Sequence, residues 1–366
     1  TLGNEVPRQS QDGHLAAGVP GTVAGLVEAH RKYGRLELKA LIDPAIELAK
    51  KGFAISDGEA ARLNSFQEAF KKHNTGPNAF IKANWKAGDR LVQKELASVL
   101  IRIRNQGEPG FYEGKTADLI VQEMRRGNGI VSHEDLKSYR AQWRTPVRGR
   151  YKNYQVISMP PSSSGGVALL QMLKMAEPHG LGKYGFQSPE AVHIMAEAMR
   201  RAYADRAEYL GDSDFYRVPV DSLLEAGYLN QRMADFRLDK STPSASVGAG
   251  KFQLAKETFE TEHTSIVDAE GNAVSVTTTL NSNYGCKVVV GGGGFFLNNE
   301  MDDFSVKPGV PNQFGLVGNE ANAIQPGKRM LSSMTPTIVE KDVKLFMVLV
   351  APGGSTIITA GFQVLL

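Results

Sequence analysis

The chain has 366 residues, of which 42% are hydrophobic and 22% charged, and a net charge of +3. That length accommodates a large core or two domains. The interspersed charges, as in Arg200-Arg201 followed by Asp205-Arg206, fit a solvated surface rather than a nucleic-acid footprint. One cysteine, Cys286, excludes an internal disulfide and a multi-cysteine zinc site, and no run of about 18 apolar residues offers a membrane-spanning helix.

Thr1 to Gly13 reads as a polar loop. Apolar residues then recur at helical spacing over Val23–Tyr33, Leu38–Lys51, Asp57–Lys72, Gln93–Asn105 and Ala117–Arg126. His133, beside Glu134 and Asp135, reads as the cap of a further helix. Val147 to Met159 alternates as a strand and runs through Pro160-Pro161-Ser162-Ser163-Ser164-Gly165-Gly166 into a helix expected near Val167. Pro189–Tyr209 is again helical. Asp239 to Glu260 has no period and reads as an exposed linker, of the length at which loops become functional or disordered. Beyond it, Phe295–Leu297, Thr337–Val339 and Leu345–Val350 read as short buried strands, and Thr356–Leu366 as a helix. Cys286 is expected to be half-buried. Helical and strand blocks together imply layers of both kinds. Neither end resembles a natural terminus, so the sequence is expected to be incomplete.

The most informative stretch is Thr258 to Asn281. Thr264–Val267 and Ala273–Val276 form two β-prone runs around Ala269-Glu270-Gly271, with Gly271 able to take the positive φ of a three-residue hairpin loop. Facing Asp268 with Asn272 carries the register to Thr261 opposite Thr279, roughly 5 Å apart between Cα atoms. An ordinary cross-strand threonine pair satisfies this pattern. So does an N-terminal nucleophile hydrolase, which cuts its own chain before the threonine and uses the freed α-amine as the base for the hydroxyl. An exposed linker ending at Thr261 suits such a cut. His263 shares the Thr261 face and either orients the site or packs.

Several polar clusters follow. Asn298-Asn299-Glu300-Met301-Asp302-Asp303 is suited to a cation or a protonated amine, or is an acidic helix start. Ser332-Ser333 offers two hydroxyls and two amides, a weak signal alone. Pro352-Gly353-Gly354-Ser355 is either an amide nest for an oxyanion or a plain strand-to-helix turn. Gly291 to Gly294 has no Lys-Ser or Lys-Thr after it and reads as a hairpin tip. The seven histidines show no metal-ligand spacing.

In order, Thr-x-His-x-Ser, Gly-Asn-Ala-Val-Ser, Thr-x-Asn, Asn-Asn-Glu-Met-Asp-Asp-Phe, Pro-Gly-Lys-Arg-x-Leu-Ser-Ser-Met-x-Pro-Thr and Pro-Gly-Gly-Ser closely resemble the γ-glutamyltransferase family. His14 to Thr22, the Pro160–Gly166 turn and Glu197 to Arg206 agree with it, so the resemblance covers essentially the whole chain. It implies an α+β fold, the N-terminal nucleophile (Ntn) hydrolase four-layer αββα sandwich. It also implies two subunits from one precursor: residues 1–260, ending in a linker over about 239–260, and residues 261–366, intertwined in one structural domain. By resemblance Thr261 is the nucleophile, Thr279 its hydrogen-bond partner, and Gly353 and Gly354 the oxyanion hole. Asn281, Glu300 and Asp303 hold the donor's α-amino end, Ser332 and Ser333 its α-carboxylate, and Pro308 to Gly318 forms a lid with Phe314 at its aromatic position.

The implied donor is glutathione or a related γ-glutamyl compound, and the acceptor is water, an amino acid or a peptide. No cofactor, metal or nucleic acid is implied, and the location is periplasmic or secreted. Alternatives are a related Ntn amidase, such as a cephalosporin acylase or a γ-polyglutamate-processing enzyme, and an uncleaved ligand-binding homologue. Three departures stand out. Glu262 occupies a position where the family usually has Thr or another small residue. The N-terminal part of the family's large subunit, with an Arg-Glu-x-x-Pro segment whose arginine pairs with the donor carboxylate, has no counterpart here. The end of the small subunit is absent too, so the sandwich is expected to be incomplete at both ends.

Overall fold

The structure, a computed structural model, describes residues 6–248, 262–349 and 351–366. Helices and antiparallel sheets are both present, giving the expected α+β class. The described residues fall into two compact units, Val6–Trp143 with Leu280–Met301, and Arg144–Thr279 with Asp302–Leu366. Each unit draws on residues from both sides of position 261.

The first unit is mainly helical, with α1 (Thr22–Tyr33), α2 (Leu38–Lys51), α3 (Asp57–Ser65), α4 (Gln67–His73), α5 (Lys94–Gln106), α6 (Gly114–Arg126) and α7 (His133–Ser138). The single helix expected over Asp57–Lys72 is two helices, because Phe66 leaves helical geometry at φ −101° and ψ 2°. Its ring packs edge-on to Tyr284. The α7 cap is Ser132, not His133: the Ser132 hydroxyl accepts from the Asp135 amide, and Asp135 reaches back to the Ser132 amide. His133 instead faces Asp118 at 2.9 Å. Cys286 is wholly buried rather than half-buried. It sits among Ile120, Met124, Val288 and Leu297, and burial pushes its thiol pKa up to about 11. Phe295–Leu297 forms no strand. Phe296 makes an isolated bridge to Val289, while the glycine tip closes with Val290 accepting from the Gly293 and Gly294 amides at 2.9 Å each.

The second unit is built on a four-stranded antiparallel sheet. Val147–Met159 is not one strand but a hairpin, β1 (Val147–Tyr151) and β2 (Tyr154–Ser158). The chain reverses at Lys152, which takes φ 51°. Helices α8 (Gly165–Ala176) and α9 (Pro189–Tyr209) follow. The separate two-stranded hairpin β3 (Glu262–Val267) and β4 (Ala273–Thr278) comes next, then β5 (Thr337–Lys341), β6 (Lys344–Leu349) and α10 (Thr356–Leu365). The sheet order is β1-β2-β5-β6, and the β3–β4 hairpin packs against β5 and β6.

Helix α8 is the core of this unit. Val167, Leu169, Leu170, Met172 and Leu173 are fully buried against Val147, Tyr151, Val156, Ile194 and Phe362. Each such side chain contributes roughly 1.5–3 kcal/mol of transfer free energy. Where α8 crosses the sheet, a Cβ at Gly149 would stand 2.6 Å from the Leu170 side chain, so a larger residue would displace that buried leucine. The expected linker departs from its sequence reading at its start. Ser244–Ser246 is a 3-10 turn, and the Thr242 amide donates to Glu197 at 2.9 Å. Residues 249–261 lie outside the described residues.

Candidate active site

The β3–β4 hairpin has the register expected from its turn. Glu262 pairs with Thr278, His263 with Thr277, and so on to Val267 with Ala273. The loop is held by one side chain. Asp268 Oδ1 accepts from the Glu270 and Asn272 amides at 2.9 Å each, and Gly271 takes φ 85°. One step beyond Glu262–Thr278, Thr279 follows the strand, half-buried. Its expected partner, Thr261, lies outside the described residues. His263 belongs to the same strand face. Its Nδ1 lies 3.1 Å from the Thr277 hydroxyl and its Nε2 2.9 Å from that of Ser265, and burial lowers its pKa.

Ser332 and Ser333 are largely buried and docked onto the turn that opens α8. The Ser332 amide donates to the Ser162 carbonyl at 3.0 Å. The Ser332 carbonyl accepts from the Ser164 amide at 2.9 Å and from the Ser163 and Ser164 hydroxyls at 3.1 and 2.8 Å. The turn's glycines permit this docking: a Cβ at Gly165 would stand 2.2 Å from Thr335 Oγ1. Behind the serines lies Arg206 of α9, which is 3% exposed. It donates through Nε to Ser164 Oγ at 3.0 Å and through Nη2 to Ser333 Oγ at 3.2 Å. Burial lowers its pKa, while Tyr203 and Asp303 act to raise it.

The same helix supports the glycine turn. Tyr203, three residues before Arg206, donates its hydroxyl to the Ser355 carbonyl. Gly353 and Gly354 take φ 135° and 50°, conformations that favour glycine. The Gly353 carbonyl accepts the Thr356 amide at 2.8 Å as α10 begins. A Cβ on Gly354 would stand 2.9 Å from the Phe314 ring, so the expected lid aromatic rests on the expected oxyanion turn.

Asp303 is half-buried and its Oδ1 accepts weakly from Asn312 at 3.4 Å. Its backbone is tied to the serine strand by one residue. Buried Asn322 donates to the Asp303 carbonyl at 2.7 Å and accepts from the Leu331 amide at 2.9 Å. The segment 308–318 is anchored to neighbouring Asp302, which accepts the Gln313 amide at 2.9 Å. Asn281 and Glu300 belong to the other unit. There Asn281, at φ 74° and 6% exposed, donates to the Asn299 carbonyl at 3.1 Å. The Glu300 amide donates to Asn298 Oδ1 at 3.0 Å.

Sequence reasoning missed Arg206, Tyr203 and Asn322 as parts of this arrangement. Arg206 carried one signal: it sits in an α9 stretch whose buried positions Ile194, Ala198, Ala202 and Asp205 recur at helical spacing, so a charge beside that face needs a partner. Among the described residues no group of three or more His, Cys, Asp or Glu is arranged to hold a metal ion, and no helix is long and apolar enough to cross a membrane.

The family model described as Gamma-glutamyltranspeptidase matches residues 2–366. A glutathione hydrolase proenzyme of Escherichia coli (strain K12) is 47% identical over 364 residues, covering 99% of this chain and 63% of the relative. The chain therefore spans less than two thirds of that relative's length. The crystal structure of Helicobacter pylori gamma-glutamyltranspeptidase superposes with a TM-score of 0.65 at 44% identity, covering 70% of this chain and 74% of that one. A cephalosporin acylase from Bacillus halodurans, at 24% identity, superposes over 100% of this chain and 65% of its own with a TM-score of 0.79, a likeness of fold.

Proposed function

Because the chain belongs to the gamma-glutamyltranspeptidase family, we propose that the protein carrying it is a self-processing γ-glutamyltransferase and glutathione hydrolase. Cleavage of the Glu260–Thr261 bond divides one precursor into two subunits and exposes the Thr261 α-amine. That amine takes the proton of the Thr261 hydroxyl, whose oxygen attacks the γ-carbonyl carbon of glutathione or a related donor. Thr279 hydrogen-bonds the nucleophile. The Gly353 and Gly354 amides face the developing oxyanion, where one such donor contributes roughly 3 kcal/mol. The tetrahedral species collapses with loss of the amine, which leaves carrying the proton, and a γ-glutamyl ester remains on Thr261. Water, an amino acid or a peptide then takes the acyl group. Asn281, Glu300 and Asp303 hold the donor's ammonium end, and Ser332 and Ser333 its carboxylate. The scheme calls for no cofactor or metal, and the reading includes export to the periplasm or the medium.

The observation that supports this reading best is the β3–β4 register, whose outermost described pair, Glu262–Thr278, directly precedes Thr279 at the end of β4. The test is hydrolysis of two chromogenic anilides by the full-length protein. A γ-glutamyl anilide is expected to be cleaved, and a glutaryl anilide, which lacks the ammonium, to be cleaved far more slowly. Equal rates on the two would remove the amine-reading role of Glu300 and Asp303 and favour an acylase.

A further inference from the structure

Helix α9 carries two buried arginines in different circumstances. Arg201, 1% exposed, is compensated by carboxylates, with Glu197 beside it and Asp235 at 2.6 Å. Arg206, 3% exposed, makes no ion pair with a carboxylate among the described residues, and its side-chain hydrogen bonds go to two hydroxyls. A buried guanidinium without a paired anion is costly, and it keeps its charge because arginine does not deprotonate in proteins. Asp303 is near enough to act on it electrostatically but accepts no hydrogen bond from it.

The two hydroxyls lead to the serine pair. Ser164 accepts from Arg206 and passes its own proton to the Ser332 carbonyl at 2.8 Å. Ser333 Oγ accepts from Arg206, which commits a lone pair inward and leaves the hydroxyl proton to be donated elsewhere. A charged donor behind a hydroxyl also polarises it and strengthens what it gives. The chain of groups runs from guanidinium to serine hydroxyl to a position suited to an anion.

We propose that Arg206 is a positioning residue of the donor site: by donating to Ser333 Oγ it fixes that hydroxyl as a hydrogen-bond donor toward the α-carboxylate of the donor. This rests on the reading of Ser332 and Ser333 as carboxylate ligands. Arg206 does not touch the donor. It acts through the hydroxyls of Ser164 and Ser333 that it holds.

The experiment compares two donors on the full-length protein, a γ-glutamyl anilide and the same anilide with its α-carboxylate converted to the carboxamide. Arg206→Lys keeps a charge but cannot reach both hydroxyls. It is expected to raise KM for the carboxylate donor about 10- to 100-fold, the effect of losing charge-assisted hydrogen bonding, with kcat changed much less. KM for the carboxamide donor should move less than threefold, so the wild-type preference for the carboxylate collapses. Ser164→Ala, a smaller change, frees Nε and is expected to shift the same ratio in the same direction by a few-fold. It decides the matter if Arg206→Lys does not fold. Equal losses on both donors would make Arg206 merely structural, and an unchanged preference in folded variants would also overturn the proposal. A wild type inactive on both anilides, or indifferent to the carboxylate, would instead refute the underlying functional reading.

Discussion

Glu197→Gln tests the buried charge network that holds Arg201 and the Thr242 backbone. The Glu197 carboxylate is 1% exposed and accepts from three donors: Arg201 Nη1, Arg200 Nη1 at 2.5 Å and the Thr242 amide at 2.9 Å. Glutamine keeps the shape but removes the charge and turns one acceptor oxygen into a donor facing Arg201. Breaking a buried pair costs about 3–5 kcal/mol when a charge is left uncompensated. Here Arg201 retains Asp235, and Arg200 is 24% exposed and contributes little. The loss should therefore fall near the lower end, about 3 kcal/mol, a fall of roughly 1 M in the urea midpoint. The double variant Glu197→Leu/Arg201→Met removes both charges and should recover much of that loss.

The pH dependence follows. Burial works against the Glu197 charge, but hydrogen bonds from Arg201 and Thr242 and the Arg200 charge outweigh it and lower the pKa from 4.5 to about 2. A depressed folded-state pKa gives stability that is present above 4.5 and lost as pH falls toward about 2. Denaturation midpoints measured across that window should fall steeply for wild type and less for Glu197→Gln. A midpoint within about 0.3 M of wild type at neutral pH, with the same acid profile, would refute the reasoning.

Gly354→Ala meets both an unfavourable φ of 50° and the Phe314 ring at 2.9 Å, so turnover of a γ-glutamyl anilide should fall by at least tenfold, and Phe314→Ala in the same chain should relieve only the steric part. Thr279→Val keeps the shape and removes the hydroxyl; single-turnover kinetics and processing time courses should show a slowing of about tenfold or more, and unchanged kinetics would make it only a strand-end residue. Asp303→Ala should raise KM for a γ-glutamyl donor while leaving self-cleavage at its wild-type rate, since no ligand takes part in that step; parallel loss of both would mean that Asp303 supports the fold.

The hairpin was legible because its information is local. Asp268, Gly271 and Asn272 fix the loop, and a fixed loop fixes every pair to Glu262–Thr278. The boundaries of α2 and α9 were legible because the apolar period stops at Gly52 in the first and starts after the Ser188 cap in the second. The break at Phe66 was not, since the apolar period runs through it and its ring packs on Tyr284, distant in sequence. The β1–β2 reversal was hidden because Lys152 and Asn153 form it without glycine or proline. Ser332 and Ser333 were recognisable only as part of an ordered set of motifs. Arg206 escaped because a charged residue on a long helix normally faces water, and its burial arises from the packing of α9 against the serine turn.

The central claim is that Thr261, the residue before Glu262 in the sequence, becomes the amino terminus of a new chain. Intact mass and amino-terminal analysis of the purified full-length protein test it most directly. The account predicts two polypeptides, the smaller beginning at Thr261, and a single uncut chain for Thr261→Ala. A small subunit that begins elsewhere, or normal cleavage in the Thr261→Ala variant, would contradict it.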